Sequence, residues 1–267
     1  MNPVIISIIA ISVILIGTTI GSTFVFFLRK NLSKKTYSLI MGFASGIMIA
    51  AAFFGLVNPA IASAQNIYGK NIQFLPVLIG FLVGGLILYG LDKLLPHFHI
   101  STNEEEGKKS NFSRNLKFFF AVTIHNIPEG LAVGFACGVA FTTSQDLQAT
   151  ALMSALSLSI GIAIQNIPEG IAVSVPLMES GFSKPKAFLF GVLSGVVEPI
   201  FAVLGLFLLQ STDWLLPWLL AFAAGAMIYV TVDELIPSMR EYGHFHRAIW
   251  AFMIGFSIMM VLELVFQ

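Results

Sequence analysis

His125-Asn-Ile-Pro-Glu-Gly-Leu-Ala-Val133 returns forty residues later as Gln165-Asn-Ile-Pro-Glu-Gly-Ile-Ala-Val173. Each copy sets a carboxylate and two further polar groups into an otherwise apolar stretch. On a helix, His125 and Asn126 stand four and three residues before Glu129, so imidazole, amide and carboxylate share one face. Gln165, Asn166 and Glu169 repeat that geometry. Pro128 and Pro168 each remove a backbone donor and open the preceding turn. Gly130 and Gly170 then let a neighbouring helix come close.

The surroundings of the two copies decide the fold class. The chain has 267 residues, 57% hydrophobic and only 10% charged, with mean hydropathy +0.88, against a soluble norm of about 25% charged. A water-soluble single domain, a disordered chain and a disulfide scaffold are all excluded. Eight apolar stretches, near 4–28, 37–57, 73–95, 116–140, 148–176, 187–210, 214–236 and 247–266, each suffice for a hydrocarbon core of roughly 30 Å. Backbone in lipid must satisfy its own hydrogen bonds, so spans this long are helices, and the short alternating segments of a β-barrel are absent. The expected fold is all-α: a polytopic membrane protein of eight transmembrane helices forming a single transport domain over 1–267. No basic residue precedes the first span and no small-residue cleavage signal follows it, so it reads as a retained span.

Thirteen of the fourteen Lys and Arg fall on one side of these spans, and only Lys70 on the other. Cytoplasmic loops carry the basic excess, which puts both termini outside the cytoplasm of a cell (inner) membrane. The longest connection, 96–115, is then a cytoplasmic loop whose run Asn103-Glu-Glu-Glu-Gly-Lys-Lys-Ser110 reads as solvated and mobile, with a regulatory segment as the alternative. Lys plus Arg balance Asp plus Glu at 14 each, so nothing points to nucleic acid. The two motif copies lie in spans four and five, which cross in opposite directions, implying a pseudo-two-fold axis in the membrane plane. Phe43-Ala-Ser-Gly-Ile-Met-Ile49 and Phe222-Ala-Ala-Gly-Ala-Met-Ile228 echo one another in spans two and seven. The plan is a three-plus-two-plus-three inverted-repeat bundle, an arrangement that transporters use with the binding site at mid-membrane.

Glu129, Glu169 and Glu198 lie deep in spans four, five and six; Asp233, Glu234 and Glu263 sit nearer span ends. An ionised residue at a helix centre costs about 3 kcal/mol to insert, and no deep Lys or Arg accompanies these three. Protonated carboxyls, a water-filled cavity or a bound cation remain. One imidazole, three carboxylates and three amide oxygens form a nitrogen and oxygen set suited to Zn²⁺, Fe²⁺, Mn²⁺, Co²⁺ or Cd²⁺; Mg²⁺ prefers more carboxylate and water, and Cu⁺ prefers sulfur. The single Cys137 excludes a thiolate cluster within one chain. An enzyme is not expected: the His-Glu-x-x-His string of a metalloprotease is absent, as is the pair of Glu-x-x-His motifs that a di-metal bundle oxidase uses. A glutamate-based proton-coupled cation exchanger and a non-transporting metal sensor stay open as alternatives to a metal transporter.

His125-Asn-Ile-Pro-Glu-Gly, Gln165-Asn-Ile-Pro-Glu-Gly, Val197-Glu198-Pro199, Leu91-Asp-Lys-Leu-Leu-Pro-His-Phe-His and Asp233-Glu-Leu-Ile-Pro together resemble the ZIP (Zrt- and Irt-like protein) family of divalent-metal transporters, its GufA-like prokaryotic branch above all. The resemblance covers essentially the whole chain. It implies a metal route between spans two, four, five and seven toward the cytosol, and two adjacent metal sites. His125, Glu129 and Glu169 would form the first, and Asn126, Gln165, Asn166 and Glu198 the second, with Glu129 and Glu169 bridging. Many relatives have His where Gln165 stands, and some have Asp where Asn166 stands. Two divalent ions would bring +4 against −3 from Glu129, Glu169 and Glu198, leaving an uncompensated charge in a low-dielectric cavity. One tight ion and a weaker second are therefore expected, and no prosthetic group. The resemblance makes Met48, with Ala51, an apolar plug on the outer side. Asp233 and Glu234 could receive the ion on release, and the pairs His97, His99 and His244, His246 could catch it at the exit. The partners expected are metal ions and the lipid bilayer. Gly80, Gly84 and Gly85 suit close helix contact within or between protomers, leaving a homodimer open.

Overall fold

The computed structural model describes residues 2–28, 33–94, 97–99, 104–106, 114–179, 181–210, 213–240 and 245–266. Asn2 caps α1 (Pro3–Phe27) by accepting from the Val4 N–H at 2.9 Å, with Pro3 in the first turn where its missing donor costs nothing. Ser33 caps α2 (Lys34–Ala50) in the same way, accepting from the Thr36 N–H at 3.1 Å. α2 then continues through a π-helical segment, Ala51–Val57, into α3 (Asn58–Tyr68), which stops at Gly69 with φ 79°. The second span thus runs well past its expected end near 57. A proline inside a helix clashes with the carbonyl one turn back, and the wider π register just ahead of Pro59 relieves that clash without a break.

α4 (Phe74–Leu94), α5 (Arg114–Thr142), α6 (Gln145–Glu179) and α7 (Lys184–Gln210) follow. A 3₁₀ turn, Asp213–Leu215, leads into α8 (Leu216–Val230), a second π segment (Thr231–Leu235) and α9 (Ile236–Arg240), and α10 (Phe245–Phe266) ends the bundle. The second π segment also stands just ahead of a proline, Pro237. Among the described residues, seven helical runs are long and apolar enough to cross a membrane; α5, which carries the His125 motif, is the eighth long helix at 29 residues. The chain is a multi-pass, almost wholly helical membrane protein.

The connection expected over 96–115 contains a short paired element. His97–His99 (β1) and Glu104–Glu106 (β2) pair as a short antiparallel ribbon in which His97 faces Glu106 and His99 faces Glu104 in register. The alternation in His-Phe-His suits a strand, and β1 packs on α5. Helix α5 also begins at Arg114, inside the expected loop.

Helix packing falls into two groups. α1 lies along α6 and α5 along α7, with α6 and α7 touching; α2 lies along α10 and α4 along α8, with α8 also meeting the first π segment. Close backbone approach makes these pairings possible. A Cβ added at Gly84 would fall on the Phe222 carbonyl oxygen, and one at Gly255 on that of Phe43, so the helices meet through glycine rather than side-chain knobs. The Gly80 and Gly84 stripe therefore packs inside the chain, on α8. Outward faces are apolar: Leu78, Leu82 and Leu86 stand exposed at one-turn intervals along α4, and Leu204 and Leu208 along α7, as lipid contact requires. Adjacent glycines give a clean test. Gly84→Ala should lower the detergent-solubilised melting temperature, by an overpacking cost of about 2 kcal/mol, while Gly85→Ala, whose added Cβ would meet its nearest neighbour at 3.8 Å, should leave the melt unchanged.

Candidate metal centre

Glu129 and Asn126 on α5, Gln165 and Asn166 on α6 and Glu198 on α7 are all buried, and Glu169 is part-buried. The pairing of α5 with α7 and of α6 with both brings them together. Gln165 is the link: its Nε2 donates to Glu129 Oε1 at 3.1 Å and to Glu169 Oε2 at 2.9 Å. Asn166 Nδ2 donates to Glu198 Oε2 at 2.7 Å, and Thr18 Oγ1, from α1, to Glu198 Oε1 at 3.1 Å.

Two backbone carbonyls fix how the asparagines are turned. Asn126 Nδ2 donates to the Ser194 carbonyl at 2.8 Å and Asn166 Nδ2 to the Ile14 carbonyl at 3.1 Å. A carbonyl only accepts, so each amide must keep its nitrogen on that side and turn its oxygen to the other. Asn126 Oδ1, Glu129 Oε2, Gln165 Oε1, Asn166 Oδ1 and Glu169 Oε1 are all buried, and none accepts a hydrogen bond from the described residues. Buried acceptors are nearly always paired, so five oxygens without donors in one cluster call for a partner from outside the side chains described: a proton on a carboxyl, water or a cation. Gly130 and Gly170 close the cluster from behind: an added Cβ would strike the Glu198 and Thr18 carbonyl oxygens respectively. Pro128, Pro168 and Pro199 follow or adjoin the polar residues in mid-helix, freeing carbonyls one turn back.

Among the described residues, no three His, Cys, Asp or Glu side chains group closely enough to hold a metal by themselves. Amide groups stand between the carboxylates, separating like charges. His125 lies on α5 one turn before Glu129, but its side chain lies outside the described residues.

No hydrogen bond between the other expected site residues and this cluster is seen among the described residues. Met48 and Ala51 are buried in the main apolar core with Val133, Leu158, Ile162 and Met227. Asp233 is half-buried in the second π segment, and the Glu234 side chain lies outside the described residues, as do those of His97 and His99. His246 is exposed at the start of α10 and His244 is outside the described residues. A cavity of roughly 320 Å³ opens between Gly55, Asn58, Ala136, Ala155, Leu220 and Glu263. Along α5 the buried Val133, and along α6 the buried Leu158 and Ile162, come between that cavity's residues and the polar cluster. Sequence reasoning missed α1 altogether. Its signal was thin: Thr18 in an apolar span, between Gly17 and Gly21 whose spacing marks a close helix contact.

Comparison with known sequences settles the lineage. The family model described as ZIP Zinc transporter matches residues 4–117 and 99–263. The chain belongs to the ZIP family. Among its relatives, "Zinc transporter GufA" of Myxococcus xanthus is 37% identical over 88% of this chain and 89% of its own length. "Zinc transporter ZIP11" of Xenopus tropicalis is 33% identical over 92% and 93%, and "Zinc transporter ZupT" of Clostridium perfringens 34% over 94% and 92%. Within this ZIP chain, the Gln165 amide is the group whose loss should be felt first. Gln165→Met leaves Glu129 and Glu169 facing one another without their shared donor, at a cost of about 2 kcal/mol. Its melting temperature in chelator should fall below wild type, and added Zn²⁺ should recover much of the difference.

Proposed function

We propose that the chain carries divalent transition-metal ions, Zn²⁺ first among them, across the membrane toward the cytosol. Cd²⁺, Fe²⁺, Mn²⁺ and Co²⁺ share the donor preference and are the competing cargoes. The observation that carries this reading is the set of five buried oxygens, on Asn126, Glu129, Gln165, Asn166 and Glu169, that accept no hydrogen bond from the described residues. The family supports it: the named relatives are zinc transporters. His125 completes the ligand set from the same face of α5.

Charge favours a single tight ion. One divalent cation neutralises Glu129 and Glu169, while Glu198 already draws donors from Thr18 and Asn166. A second ion leaves the cluster positive in a low dielectric, so it binds more weakly. A proton exchanger working through glutamates alone would have no use for three amide oxygens in the same cluster, because an amide oxygen accepts no proton near neutral pH.

Transport follows from alternating access. With both termini outside, the cavity at Asn58 and Glu263 is the outer vestibule, and Met48 with Ala51 forms an apolar seal between it and the ligands. Movement of the α1, α5, α6 and α7 group against α2, α4, α8 and α10 breaks that seal on one side and remakes it on the other. The matching contacts of the two halves support the inverted-repeat plan such movement uses. In this reading Asp233 and Glu234 receive the ion on release, and the His97, His99 and His244, His246 pairs take it up at the exit.

Proteoliposomes loaded with a fluorescent indicator test the reading. Wild type should show saturable Zn²⁺ and Cd²⁺ flux with little Mg²⁺ flux, and His125→Ala, Glu129→Ala and Glu169→Ala should each reduce it at least about tenfold. Flux absent in wild type, with metal still bound by these residues, would turn the reading to a membrane sensor. Flux of protons without a metal requirement would turn it to an exchanger.

A further inference from the structure

Glu198 differs from the other two site carboxylates in having both oxygens met. Thr18 Oγ1 holds Oε1 and Asn166 Nδ2 holds Oε2, whereas Glu129 and Glu169 each keep an oxygen with no partner among the described residues.

Thr18 is unusual among the hydroxyls of this bundle. Thr19, Ser22, Ser45, Thr123, Ser159, Ser174 and Thr231 all turn their protons back to the carbonyl one turn earlier on their own helix, the ordinary outcome for a hydroxyl in an apolar helix. Thr18 instead crosses to α7. Its own preceding-turn carbonyl, at Ile14, is taken by Asn166. Gly195 makes the room: a Cβ there would lie 2.8 Å from Thr18 Cβ and 2.9 Å from its Oγ1.

Thr18 also occupies the place on α1 that Glu198 occupies on α7. Asn166 reaches the Ile14 carbonyl as Asn126 reaches that of Ser194, and Gly170 abuts the Thr18 carbonyl as Gly130 abuts that of Glu198. The two halves of the cluster match, except that one half contributes a carboxylate and the other a hydroxyl, and these two side chains meet.

We infer that Thr18 is a positioning residue which, with Asn166, ties Glu198 to α1 and withholds it from a second ion, so that the centre holds one divalent ion tightly. The inference rests on the metal route proposed above. Each Glu198 oxygen keeps a further lone pair, but a second ion that recruits Glu198 must share the carboxylate with donors that already hold its orientation and draw on its charge, and loss of the Thr18 hydroxyl removes one of them. Hydrogen bonds to charged groups are strong enough that this should tighten the second ion about tenfold.

The test is Zn²⁺ and Cd²⁺ binding to the chelator-stripped, full-length protein by equilibrium dialysis with elemental analysis. Wild type should bind one ion tightly and a second weakly. Thr18→Val, close to isosteric, and Thr18→Ala, a second hydroxyl-free variant, should tighten the second ion and leave the first unchanged. Thr18→Ser, which keeps the donor, should follow wild type, and adding Glu198→Gln to Thr18→Val should abolish the gain. A second ion bound as in wild type by both hydroxyl-free variants would overturn the inference, as would Thr18→Ser shifting as far as Thr18→Val, since that is packing alone. If wild type and Glu129→Gln bind ions alike, the metal route itself fails, and this inference with it.

Discussion

Carboxylates at mid-membrane must be met by donors or by cations, and the architecture of this chain answers that requirement. Glu129, Glu169 and Glu198 are brought within reach of one another on three helices with no Lys or Arg in the same depth. Amide nitrogens of Gln165 and Asn166, and the hydroxyl of Thr18, supply hydrogen bonds to them. What they leave over is a set of buried oxygens with acceptor capacity and no donor. The polar cluster is thus only partly satisfied by its own donors, and the oxygens left over are free to meet a further donor or a cation.

Close helix approach is the second condition. A cluster reached from α1, α5, α6 and α7 cannot form if the helices stand a full side chain apart. Gly130 and Gly170 remove that spacing where the polar residues sit. Proline follows the same economy: Pro59 and Pro237 stand behind π segments that let a long span stay continuous, and Pro128 and Pro168 open the turns beside the ligands. Each of these residues would be a defect in a soluble helix. Here neighbouring helices can absorb the defect.

The two packing groups give the cluster its mechanical setting. The polar cluster belongs to α1, α5, α6 and α7, while the main apolar core also draws on α2 and α8. The motion proposed above would shift the hydrogen-bonded group against a glycine-packed partner. Apolar seals suit such movement because they have no fixed partners to break.

Composition and spacing alone determined the membrane class and the long helices, and they set the polar residues of each motif on one face of α5 and of α6. Those features are local: a helix displays residues three and four apart on one face whatever its neighbours do, and twenty apolar residues have one stable home. The tertiary structure decided what depends on partners far away in sequence. That α1 belongs to the centre, that Asn126 and Asn166 turn their oxygens inward, and that Glu198 is held by Thr18 all follow from contacts between residues as much as 180 positions apart. The same holds for the ribbon at His97–His99 and Glu104–Glu106, read as loop because its pairing is invisible in either segment alone. Helix faces are written in the sequence; which faces meet is a matter of packing.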